Sequence, residues 1–69
     1  MDRQFVKSSN IHSIGYDLES QTLEVKFKWG GLYHYFNVEE YEFVELMTAS
    51  SVGKYFNKYI SAKHEYKIM

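Results

Sequence analysis

The sequence predicts an α+β fold: a three-stranded antiparallel meander followed by two helices packed on one face, ending in a short C-terminal strand or a docked tail. Three observations carry this reading. Leu23, Val25 and Phe27 alternate with Thr22, Glu24, Lys26 and Lys28, the period of a half-buried antiparallel strand. Val52, Tyr55, Phe56, Tyr59 and Ile60 recur at i, i+3, i+4, i+7 and i+8, the stripe of an amphipathic helix. A length of 69 residues allows one domain, residues 1–69, and with no cysteine to cross-link it the core must hold it together. A composition of 45% hydrophobic and 19% aromatic residues, with seven tyrosines, supplies that core.

The elements follow in order. A polar lead-in, Lys7-Ser8-Ser9-Asn10, precedes a strand from about Ile11 to Tyr16. Asp17-Leu18-Glu19-Ser20-Gln21 reads as a turn, with Asp17 bonding nearby backbone amides. The Leu23-Val25-Phe27 strand comes next, and Gly30-Gly31 turns the chain, since glycine takes positive φ without steric cost. The third strand runs from Leu32 to about Asn37. Asn37 then reads as the cap of the first helix, with Glu40 as its capping-box partner, and Glu39 and Glu40 suit the positive end of the helix dipole. Phe43, Val44, Leu46 and Met47 give that helix its buried stripe. Ser50 or Ser51 ends it and caps the second helix, which carries Lys63 and His64 near its C-terminal end. Tyr66 and Ile68 form the closing strand or tail.

A net charge of −1 counts against a strong, general grip on nucleic acid. The distribution is less even than the total. From Asn37 to Ala49 the only charges are Glu39, Glu40, Glu42 and Glu45; from Ser50 to Met69, Lys54, Lys58, Lys63 and Lys67 stand against Glu65 alone. Two solvated helix faces of opposite sign account for this pattern in the plainest way. No apolar run reaches the length of a membrane span, and Met1-Asp2-Arg3-Gln4 lacks the apolar stretch of a signal peptide, so a cytoplasmic protein is expected.

These residues together resemble the KTSC domain family over nearly the whole chain. The resemblance rests on Ser8-Ser9-Asn10-Ile11, Ser13-Ile14-Gly15-Tyr16-Asp17, the Leu23-x-Val25-x-Phe27 strand, Gly31-x-Tyr33-x-Tyr35 with Val38, and Ala49-Ser50-Ser51-x-Gly53-Lys54-Tyr55-Phe56-Asn57 with Ile60. It implies a short, mostly bacterial domain, often a stand-alone protein, with Tyr33 and Tyr35 as the family's Tyr-x-Tyr hallmark. A similar module occurs at the C-terminus of some lysyl-tRNA synthetases, and that context is what suggests RNA binding. The sequence departs from the family pattern twice. Glu39 stands where a proline is common, which costs little in a first helical turn. Ser61 stands where a basic residue is frequent, which removes a charge from any RNA-facing surface.

Hairpin register decides the role of the two tyrosines. With a two-residue Gly30-Gly31 loop, Trp29 faces Leu32, Phe27 faces His34, and Tyr33 and Tyr35 share a face with Lys28 and Lys26. That arrangement is a stacking platform for bases. With a three-residue Trp29-Gly30-Gly31 turn, Lys28 faces Leu32, every side chain flips, and Tyr33 and Tyr35 join Val25 and Phe27 inside while Leu32, His34 and Phe36 point outward. The buried arrangement is preferred, because tyrosine pairs in sheets are generally packing units. No metal site is expected: only His12 and His64 could join His34, and no motif brings them together.

The remaining constellation is Ser50-Ser51-Val52-Gly53-Lys54 at a helix start, where free amides, a small glycine and a lysine could hold a phosphate or carboxylate. It is not a P-loop, lacking the earlier glycine and having Tyr55 after Lys54; serine capping, with the glycine packed closely against the sheet, is the preferred explanation. Lys54, Asn57, Lys58 and Ser61 continue one polar helical face. Nothing marks a catalytic set and no cofactor is implied, so the chain is not expected to be an enzyme. The expected function is a small binding module, with RNA or another polyanion contacted by Lys54, Lys58, Lys63, Asn57, Ser50 and Ser51. The rival is a protein–protein interaction module using a sheet edge or an exposed Leu32/Phe36 surface.

Overall fold

The computed structural model describes the whole chain, Met1–Met69. Five strands form one antiparallel sheet in sequence order: β1 (Arg3–Phe5), β2 (Ile11–Asp17), β3 (Thr22–Phe27), β4 (Leu32–Tyr35) and β5 (Tyr66–Ile68). Between β4 and β5 the chain makes α1 (Glu40–Thr48) and α2 (Val52–Tyr55), which runs on into a π-helical segment, Phe56–Ser61. The predicted meander forms the middle of the sheet. Strand β5 is the closing strand anticipated from Tyr66 and Ile68, and β1 is an addition at the other edge. No helix is long and apolar enough to cross a membrane.

One irregularity builds the inner face. Ile11 pairs with Phe27, but Ser13 pairs with Lys26, so the register shifts at a bulge around His12. The extra residue lets both Ile11 and Ile14 point inward, which strict alternation forbids. Both are fully buried, with Leu23 and Val25 opposite, Val38 from the β4–α1 connection, and Leu46 and Ile60 from the helical layer.

The start of α1 corrects two details, the cap Asn37 and its partner Glu40, while the start of α2 is as expected. Asn37 does not cap α1: it sits at φ 57, in the left-handed region that asparagine tolerates, and the following Val38 drops into the core. Glu39 is the N-cap, and its N–H donates to Glu42 Oε2 at 2.8 Å. Ser51 caps α2, its Oγ accepting from the Lys54 N–H at 3.3 Å. In the second helical stretch Val52, Phe56 and Ile60 are buried while Tyr59 is exposed. The wider π turn explains this, since i→i+5 bonding keeps residues four apart on one line and rotates those at i+7 away.

On the opposite face Glu24 gathers its neighbours. Arg3 Nη1 lies 2.7 Å from its Oε2 and His34 Nε2 2.7 Å from its Oε1, and Arg3 Nε donates to Ser13 Oγ at 3.1 Å. Burial alone would raise the Glu24 carboxyl, but hydrogen bonds from His34 and Arg3 outweigh it and hold the group below its ordinary value. A carboxyl depressed in the folded state stabilises above its unfolded pKa and loses that contribution as pH falls through the folded value. The denaturation midpoint should therefore fall as the pH drops below about 4.3, and Glu24→Gln should flatten that acid limb. Parallel urea titrations at a series of pH values check it; identical acid limbs would contradict it.

Candidate nucleic-acid interface

The hairpin register settles the two tyrosines. Observed pairs are Leu23 with Tyr35, Glu24 with His34, Val25 with Tyr33 and Lys26 with Leu32. The loop has three residues, but they are Lys28-Trp29-Gly30, with Gly30 at φ 113 and its N–H donating to the Phe27 carbonyl at 3.0 Å. The register lies two residues from the three-residue alternative, so the facing of every side chain is the same. Tyr35 is buried and Tyr33 half-buried, both on the helix-covered face. Burial raises the Tyr35 hydroxyl above its ordinary value, as do the neighbouring Tyr33 and Tyr66, partly offset by a hydrogen bond with Ser61. Leu32, His34 and Phe36 are half-buried on the other side of the strand. The second glycine has its own reason: the Trp29 indole folds back over Gly31, and a Cβ there would overlap the ring.

A cleft of about 690 Å³ lies where two distant segments meet. The β1–β2 connection contributes Lys7, Ser8, Ser9 and Asn10; the second helical stretch contributes Ser50, Ser51, Gly53, Lys54 and Asn57. Ser8 shapes the first wall, its Oγ accepting from the N–H groups of Asn10 and Ile11 at 3.2 Å each. Gly53 faces Ser8 from the second wall, and a Cβ there would sit in ordinary contact, 3.4 Å from Ser8 Oγ. Every lining side chain is polar or absent, two are lysines, and none is a carboxylate. The cleft can therefore hold an anion through ammonium groups, hydroxyls and amides.

Of the residues singled out in the sequence, the structure brings Ser50, Ser51, Lys54 and Asn57 into this cleft and leaves Lys58 and Lys63 outside it. Those two flank the Tyr59 ring, with ammonium groups 5.2 and 5.3 Å from its centroid. Lys7, Ser8, Ser9 and Asn10 were missed as site residues. Only the place of Ser8-Ser9-Asn10 among the family motifs hinted at them, because the fold carries them across to the helix. Three of the four glutamates at the N-cap and within α1 are engaged by the molecule itself: Glu39 with the Gln21 side-chain amide at 3.2 Å, Glu42 with His64, and Glu45 with the Tyr55 hydroxyl at 2.7 Å.

A second hollow of about 350 Å³ adjoins the first and is largely aromatic. Phe27, Trp29, Tyr33, Tyr35, Phe56 and Tyr66 line it, with Asn57 and Ser61 from the π-helical segment at its rim. Asn57 lines both hollows.

Fold and site together define a small α+β module with one polar, carboxylate-free cleft. The KTSC domain family model matches residues 7–66, and the chain belongs to that family. A protein of Stutzerimonas stutzeri is 41% identical over 64 residues, covering 93% of this chain and 90% of that protein. The lysine–tRNA ligase of Nostoc punctiforme is 34% identical over 61 residues, covering 88% of this chain but 11% of the ligase, so the match is to a module within it. The crystal structure of a KTSC domain protein from Yersinia pestis superposes with a TM-score of 0.95 at 38% identity, covering 99% of this chain and 96% of that one.

Proposed function

We propose that this chain is a binding module for a phosphate-bearing polyanion, RNA being the most concrete case, and that the polar cleft is where the phosphate sits. The observation that carries the proposal is the cleft's lining: Lys7 and Lys54 on opposite walls, serine and asparagine between them, and no carboxylate. The occurrence of the module in ligases whose own name includes tRNA supports RNA as the polymer. Lys58 and Lys63 lie beyond the cleft and contribute long-range attraction rather than contact.

A competing reading as a protein-interaction module draws on the two sheet edges, where Phe5 is 80% and Ile68 61% exposed. A salt titration separates the two. Labelled single-stranded RNA should bind at low salt and weaken steeply as salt rises, because phosphate contacts release counterions. Replacing Lys7 and Lys54 together by glutamine should reduce the salt slope by about two, one per phosphate contact. Replacing Lys58 and Lys63 should reduce it less. Equal effects of the two double variants would mean diffuse attraction and no cleft site. Absence of binding at low salt would leave the protein-interaction reading ahead.

A further inference from the structure

We infer that the cleft and the aromatic hollow form one continuous site for single-stranded nucleic acid, the phosphate held between Lys7 and Lys54 and the adjoining base inserted against Trp29, Tyr33 and Tyr66. The inference rests on the polyanion reading of the cleft and adds what the neighbouring hollow does.

Four observations converge on it. The two hollows share Asn57 in their linings, so they meet at that side chain. The hairpin tip that carries Trp29 is tied to the cleft wall, since the Lys28 N–H donates to the Asn10 carbonyl at 2.8 Å. Trp29 is 71% and Tyr66 57% exposed, so both rings present surface to a ligand rather than to the core. Trp29 and Tyr66 flank Tyr33, with ring centroids 6.2 and 5.5 Å from it, so three π-systems surround the hollow. A volume of about 350 Å³ is at the small end of ligand pockets, about 300–1,000 Å³, and suits a single ring system.

The chemistry selects the occupant. An aliphatic or aromatic protein side chain would use the aromatic hollow but leave the lysine cleft empty, and a simple polyphosphate would do the reverse. A nucleotide unit has a planar π face next to a phosphate and satisfies both. Every base offers such a face, so the pairing is tolerant of sequence. A duplex keeps its bases stacked and paired, so it can offer the cleft its phosphates but cannot fill the hollow. The π-helical segment, a geometry that recurs at functional sites, carries both Asn57 and Ser61 to the rim.

The test uses three probes on the intact chain: a mixed-sequence single-stranded oligoribonucleotide, its duplex with the complement, and inorganic polyphosphate. Trp29 is the sole tryptophan, so its fluorescence reports on the hollow alone. The single strand should quench it and bind more tightly than the duplex; polyphosphate should bind without quenching. Trp29→Ala and Tyr66→Ala, both at exposed positions, should each weaken the single strand at least about fivefold, the lower end of one base stack, measured by anisotropy of the labelled RNA. Neither should change polyphosphate binding, and circular dichroism confirms that both variants fold. Salt-dependent binding of the single strand with no quenching and no loss in either variant would overturn the inference and leave the cleft reading intact. A duplex bound as tightly as the single strand would also overturn it. Failure of all three probes to bind would overturn both readings.

Discussion

Phe56→Ala is expected to lower the unfolding free energy by about 3–5 kcal/mol. The phenyl ring is 3% exposed and sits edge-on to Tyr35 and Phe27, with centroids at 5.2 and 5.8 Å. It is the point where the helical layer meets the inner face of β3 and β4. Truncation removes the transfer free energy of the ring and leaves a cavity walled by strands that cannot collapse onto it. Domains of this size have little reserve, so the variant should unfold near room temperature or fail to accumulate. Urea denaturation followed by circular dichroism is the measurement. A midpoint equal to that of the parent would mean that Phe56 does not join the two layers.

Glu42→Ala should cost about 1.5–3 kcal/mol, the range for hydrogen bonds to charged groups. Glu42 looks like one more surface glutamate in a run of four, yet its side chain is only 12% exposed. One oxygen accepts from the Glu39 N–H at 2.8 Å and the other faces His64 Nε2 at 3.0 Å. The other nitrogen of His64 lies 2.9 Å from the Phe36 carbonyl. Both ring nitrogens of His64 therefore lie within hydrogen-bond distance of acceptors. The result is a clasp that joins the start of α1, the end of β4 and the turn that follows the π-helical segment. Removing Glu42 leaves the Glu39 N–H and His64 Nε2 without that partner at once. Glu40→Ala, two residues earlier and exposed, is the matched comparison and should stay within about 0.5 kcal/mol of the parent. Equal stabilities of the two variants would remove the clasp from the account.

The parts legible in the sequence are those where local pattern and final packing coincide. Leu23, Val25 and Phe27 alternate because one face of β3 is buried, and Val52, Phe56 and Ile60 repeat because one line of the second helical stretch is. Strand β1 escaped because its three residues are all exposed. Arg3 reaches Glu24 across the one intervening strand, β2, and nothing in Arg3-Gln4-Phe5 shows an inward face. The hairpin loop was displaced because Gly30-Gly31 looks like a turn pair, whereas one glycine takes positive φ and the other makes room for the Trp29 ring. Val44 and Tyr59 were assigned to buried stripes and are exposed, the first at the margin of α1's apolar arc and the second through the widened π turn.

Half of the cleft could be read directly: Ser50, Ser51, Lys54 and Asn57 lie close together in sequence and share a helical face. The other half, Lys7 to Asn10, sits forty or more residues earlier and reaches the helix only through the sheet order. The aromatic hollow was out of reach for a different reason. Tyr33 and Tyr35 were weighed as either core or platform, but the structure divides the work between them. Tyr35 is packed away, while Tyr33 forms the floor between two exposed rings contributed by the hairpin tip and β5.

The claim that the Lys7–Lys54 cleft is the anion-binding surface is tested most directly by backbone amide chemical shifts, which locate contact residue by residue in a chain of this length. Addition of single-stranded RNA at low salt should move the amides of Ser8 to Asn10 and Ser51 to Asn57, with those of Trp29 and Tyr66 beside them, and leave the outer edge of β1 in place. Shifts confined to Arg3–Phe5 and Tyr66–Ile68, or spread evenly over every lysine, would contradict it.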